Sequence, residues 1–129
     1  MRLAQFRQHL LGIPVVADLV DTRIYPVHLP QGVQYPAATY QRINSTSEQH
    51  LKGRSGLRWV RMQVDIWAKD AMDVDAITGA LDDALDGYRG PIGIYEATDS
   101  WRVAQQDIYE QDVDVYRITT DYSIYYRQL

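Results

Sequence analysis

The side chains able to ligate, attack or shuttle a proton are few and scattered. His9 lies in a helical pattern, His28 between prolines and His50 in a polar stretch, and no two have the spacing of metal ligands. Asp70, Asp73 and Asp75, with Asp82, Asp83 and Asp86, look like a carboxylate cluster, but their spacing decorates the exposed side of one helix. The calcium-loop pattern with its central glycine is absent. Gly53-Arg54-Ser55-Gly56 lacks the lysine and the following helix of a phosphate-binding loop, and Ser55 has no base at a recognisable spacing. There is no cysteine, so no disulfide, thiolate zinc site or thiol nucleophile is available, which fits a reducing compartment. Ten tyrosines, five of them between positions 109 and 126, suggest a stacking platform for bases. Their mostly even spacing along one run favours core and interface instead. The expectation is a protein without catalytic, cofactor or metal sites.

What stands out is a docking pattern. Two strand-like runs, AATYQRI and LRWVRMQVDIW, flank the polar loop Asn44–Gly56, about a dozen residues with Leu51 as its lone apolar anchor. A compact domain rarely keeps such a loop unless it is functional or orders on binding. It cannot repay its ordering entropy by itself, so ordering against a partner is expected. Lys52, Arg54 and Arg58 are its candidate charge-assisted contacts.

The elements that hold this loop follow from periodicity. Leu3, Phe6, Leu10 and Leu11 recur at helical spacing. Pro14 opens a second short helix carrying Val15, Val16, Leu19 and Val20. Four prolines or glycines between 26 and 36 keep that segment irregular. Ala37–Ile43 is a strand, and Leu57–Trp67 a clearer one: Val60, Met62, Val64 and Ile66 point to one face, Trp59, Arg61, Gln63, Asp65 and Trp67 to the other. Asp70 is placed to cap a helix near 71–86, with Val74, Ile77, Leu81, Ala84 and Leu85 as its buried stripe and Gly87 as its stop. Pro91–Tyr95 and Trp101–Ala104 read as short strands. Val113–Tyr126 is the second clear strand, with Tyr116, Ile118, Thr120, Tyr122, Ile124 and Tyr126 on one face and Arg117, Thr119, Asp121 and Ser123 on the other.

This order predicts a single α+β domain over 1–129: a mostly antiparallel sheet with two helices packed on one face. The opposite face carries Arg61, Gln63, Asp65, Arg117 and Asp121. Such a face is either solvated or a protein contact, and the flanking Trp59 and Trp67 point to contact.

Composition sets the outer limits. The hydrophobic fraction of 46% supports a core, and 23% charged residues argues against disorder. No apolar run approaches the roughly 18 residues of a membrane span, and the amphipathic start is not a signal peptide. Net charge is −4 but uneven: residues 1–64 hold eight Arg or Lys against three acids, and residues 65–129 five against fourteen. The asymmetry is either solvated surface or two faces that attract neighbouring copies head to tail. The acidic balance makes nucleic acid a poor main partner.

The segments taken in order resemble the phage tail-completion family, the small tail-terminator or neck proteins at the head–tail junction of long-tailed phages and gene-transfer particles. The resemblance runs from the N-terminal helices through TRIYP-x-H-L-P-Q-G, YPAATYQRI, the loop, SGLRWVRMQVDIWA and the helix ending ALDG to DVYRITTDYSIYYR. Residues 91–112 match least. The resemblance implies a structural virion protein, assembled in the bacterial cytoplasm, that forms a hexameric ring. The ring would terminate the tail tube and join it to the connector or stopper on the head, with genome DNA passing through without specific binding. Two rivals remain: another tail or neck component, such as a tube subunit or stopper, and a small-molecule-binding or enzymatic α+β domain, which would need a deep pocket with converging polar groups.

Overall fold

A computed structural model describes residues 1–44 and 56–129. Lys52 and Arg54, and all but the ends of the loop they belong to, lie outside the described residues. The chain runs α1 (Leu3–Leu11), α2 (Pro14–Val20), β1 (Ile24–Pro26), β2 (Ala37–Asn44), β3 (Arg58–Ala68), α3 (Ala71–Leu85), β4 (Gly90–Ile92), β5 (Tyr95–Glu110) and β6 (Val115–Gln128). The strands form one six-stranded sheet in the order β1-β2-β3-β6-β5-β4.

Local signals account for most boundaries. Pro14 sits in the first turn of α2, where its missing N–H costs nothing. The Asp70 carboxylate accepts from the Met72 backbone N–H at 2.7 Å and so caps α3. Gly87, just past that helix, has φ 78° and donates its N–H to the Ser100 carbonyl at 2.6 Å. The Ser100 hydroxyl returns a bond to the Leu85 carbonyl at 2.8 Å, tying the helix end to β5.

The alternation read along β3 and β6 is realised in one core. Val60, Met62, Val64 and Ile66 meet Ile118, Tyr122, Ile124 and Tyr126 beneath Phe6 and Leu10 of α1, Val16 and Val20 of α2, and Val74, Ile77, Leu81 and Leu85 of α3. β3 and β6 pair antiparallel without interruption from Arg58↔Tyr126 to Ala68↔Tyr116.

Three expectations need correction. Three helices, not two, cover the sheet, because α1 and α2 remain separate helices that both bury residues in the core. The sheet is mixed: β1 pairs parallel with β2 in the register Ile24↔Ala38, returned by residues 27–36. The segments read as Pro91–Tyr95 and Trp101–Ala104 are instead a three-residue β4 and a sixteen-residue β5. Register shifts at Ala97/Asp99 and Arg102/Ala104 break the alternation of β5, and residues 101–107 are exposed whichever way they point, so no period of two is visible.

Candidate protein-interaction face

The uncovered face of the sheet is built from the odd-numbered residues of β3 and β6, and the register decides who meets whom. Gln63 stands opposite Asp121, Asp65 opposite Thr119, and Trp67 opposite Arg117. The twist of the sheet also brings diagonal neighbours within reach of long side chains. Arg61 donates from Nε and Nη2 to Asp121 Oδ2 at 3.0 and 2.7 Å, and Gln63 Nε2 donates to Asp121 Oδ1 at 3.0 Å. Gln41 on β2 extends the chain, donating to Gln63 Oε1 at 3.0 Å.

A second cluster lies one step along. Asp65 accepts from the Thr119 hydroxyl at 2.6 Å and from Arg117 Nη1 at 3.2 Å. Arg117 Nη2 reaches Glu110 on β5 at 3.0 Å, and the guanidinium lies over the Trp67 ring, 4.7 Å from its centre. The indoles close the two ends: Trp59 Nε1 donates to Ser123 Oγ, and Trp67 Nε1 to Thr39 Oγ1 at 3.3 Å. Asp65 and Asp121 are each only 8% exposed, although they lie on the face opposite the apolar side chains that meet the described helices. Burial, the largest influence, raises the Asp65 pKa above its ordinary 3.8, while Thr119 and Arg117 pull it down and Asp121 pushes it up.

Of the residues singled out from sequence, Trp59, Arg61, Trp67, Arg117 and Asp121 therefore share one face, Arg61 and Asp121 in one cluster, Trp67 and Arg117 in the other and Trp59 on Ser123, and Arg58 begins the same strand at its loop end. The sequence reading missed how far these groups satisfy one another. Partnering runs across strands, and it shows only once register is known. Asp82 is a plain correction. Read as surface decoration, it accepts from Tyr122 Oη, from Arg102 Nη1 at 2.9 Å and from Gln105 Nε2 at 3.0 Å, clamping α3 to β5 and β6. Asp86, from the same cluster, accepts from the Arg102 backbone N–H at 2.9 Å. His9 packs its ring 4.9 Å from that of Tyr88, and burial lowers its pKa.

The face offers binding chemistry: planar indoles, a guanidinium held flat, and paired charges set in a rigid sheet. The model of the tail completion protein gp17 family matches residues 4–127. No curated protein matches the chain. Among solved structures, a chain of the virion of a native gene transfer agent particle superposes with a TM-score of 0.75 at 17% identity, covering 95% of this chain and 92% of that one. At that identity the likeness speaks for the fold. The family match, spanning almost the whole chain, carries the assignment: this chain belongs to the tail completion protein gp17 family and is a structural component of the virion tail.

Proposed function

We propose that the protein is a tail terminator, six copies of which close into a ring on the head-proximal end of the tail tube and join it to the head connector. The observation that carries this reading is the family match over residues 4–127. The fold supports it. One domain offers chemically different surfaces to neighbours on either side, as a closed ring of head-to-tail contacts requires. The action is steric rather than catalytic: the ring halts tube growth and supplies a surface for the connector.

In this reading the face of Trp59, Arg61, Trp67, Arg117 and Asp121 is a preformed contact surface, since its side chains are already held by internal bonds and lose little entropy on docking. Lys52, Arg54 and Arg58 would add charge-assisted contacts to the tube end. The acidic second half of the chain is compatible with a lumen that lets DNA pass, because a basic lining would hold phosphate. Counting copies per particle by quantitative mass spectrometry tests the ring. Six supports it, and any other number removes it. Particles lacking the protein should show overlong tubes or heads without tails in the electron microscope.

A further inference from the structure

The segment that returns from β1 to β2 opens on a strained turn. The Pro26 carbonyl accepts from the His28 N–H at 2.8 Å, closing a three-residue turn around Val27, whose φ is 69°. A β-branched residue is poorly suited to positive φ and persists there only where the surroundings impose it. The Val27 N–H is held by the Tyr40 carbonyl at 2.9 Å, and the side chain stands 59% exposed. The fold thus holds an apolar knob out from the β1 edge of the sheet.

A complementary hollow lies in the other half of the sheet. A groove of about 600 Å³ runs between the start of α3 and the β5–β6 hairpin, with Met72, Val74, Ile108, Tyr109, Tyr116 and Ile118 in its lining. Met72 is 74% exposed, and Tyr109 and Tyr116 are 46% and 39% exposed, with their ring centres 5.1 Å apart. The rim is acidic: Asp75 and Asp107 line it, and residues 103–116 hold four acids and no base. Arg117, which also lines it, is engaged by Asp65 and Glu110. The knob's side is the reverse, since residues 22–43 hold Arg23, Arg42 and His28 and no acid.

We infer that Val27 of one copy seats in the α3/β5–β6 groove of the next, forming the repeating junction between copies. The inference rests on the ring reading above. It names one partner, a second copy, because knob and groove carry opposite charge and lie in opposite halves of the sheet. That placement is what a head-to-tail contact needs if each copy is to use both.

The chain has no cysteine, so introduced pairs report cleanly. Particles carrying Val27→Cys with Met72→Cys, or Val27→Cys with Tyr116→Cys, should on oxidation give a non-reducing ladder reaching six copies. Each single substitution should not. Six copies per particle without a ladder from either pair would overturn the junction and leave the ring standing, whereas a different copy number would overturn the ring itself. Val27→Gly supplies a second readout. Glycine fits φ 69°, so the isolated variant should melt higher than the native chain. Losing the knob should nevertheless lower its incorporation in competition with native protein by roughly tenfold. Equal incorporation would overturn the proposal.

Discussion

At the scale of single residues, the outer-face network predicts an asymmetry between partners. The Asp121 side chain is 12% exposed and that of Arg61 34%. Removing Asp121 leaves an arginine that can turn to water, whereas removing Arg61 leaves a nearly buried carboxylate with Gln63 as its one remaining side-chain donor among the described residues. Arg61→Ala should therefore cost about 1–3 kcal/mol, Asp121→Ala less, and the double variant less than their sum. Urea unfolding of the four proteins measures this. Asp65 supplies a pH test. Because its pKa is raised in the fold, the native state binds the proton first as pH falls. Its contribution to stability therefore rises as pH drops through the raised pKa towards 3.8. Asp65→Asn has no such response. The stability difference between native protein and Asp65→Asn should shift in favour of the native protein between pH 7 and pH 4. A difference that stays constant would mean that the Thr119 and Arg117 contacts offset burial, and one that moved against the native protein would mean that they outweigh it.

At the scale of elements, α3 is fixed to the sheet by polar contacts as well as by its apolar stripe. Asp82 gathers Tyr122, Arg102 and Gln105. Tyr122 is fully buried, and burial followed by the Asp82 contact drives its pKa far upward, so its hydroxyl stays a donor. Asp82→Ala strands that hydroxyl and should cost about 1–3 kcal/mol, while Tyr122→Phe leaves Asp82 two other donors and should cost about 1 kcal/mol. Calorimetric melts of the pair decide the order; a larger loss for Tyr122→Phe would overturn it. The same elements show what was legible beforehand. β3, β6 and α3 were readable with their faces because each spans a strong apolar layer: Val60 to Ile66, Ile118 to Tyr126, and Val74 to Leu85. β5 was not, because beyond Ala97 it pairs on one side alone among the described residues and the strand bulges twice, at Ala97/Asp99 and Arg102/Ala104. β1 carries no such signal, because three residues ending in proline cannot announce a parallel partner. Asp82 was misplaced because a carboxylate at helical spacing looks the same whether it meets water or a buried tyrosine. On the candidate face, alternation assigned the residues, but the Arg61–Asp121 and Asp65–Arg117 contacts depend on register and diagonal reach, which no single strand encodes.

At the scale of the whole molecule, the role proposed for the β2–β3 connection predicts that folding and assembly can be separated. β2 and β3 pair antiparallel from Ala37↔Trp67 as far as Asn44↔Arg61, so the two strand ends already lie side by side. A short turn can bridge them, and loop length changes closure entropy only slowly. Replacing residues 46–54 with a brief Gly-Ser turn should therefore leave the melting curve nearly unchanged, within about 1 kcal/mol. It also deletes Glu48, Lys52 and Arg54 and, with them, the proposed contacts to the tube end. Arg58, on β3, would remain. If those contacts help the ring stop the tube, particles built with the shortened chain should carry overlong tubes or unattached heads while the isolated protein folds as before. Tail lengths measured in electron micrographs, set beside a thermal melt, read both halves of the prediction. Normal tails would make the segment a passive connection and leave the Trp59–Asp121 face and the groove as the proposed docking surfaces still to be tested.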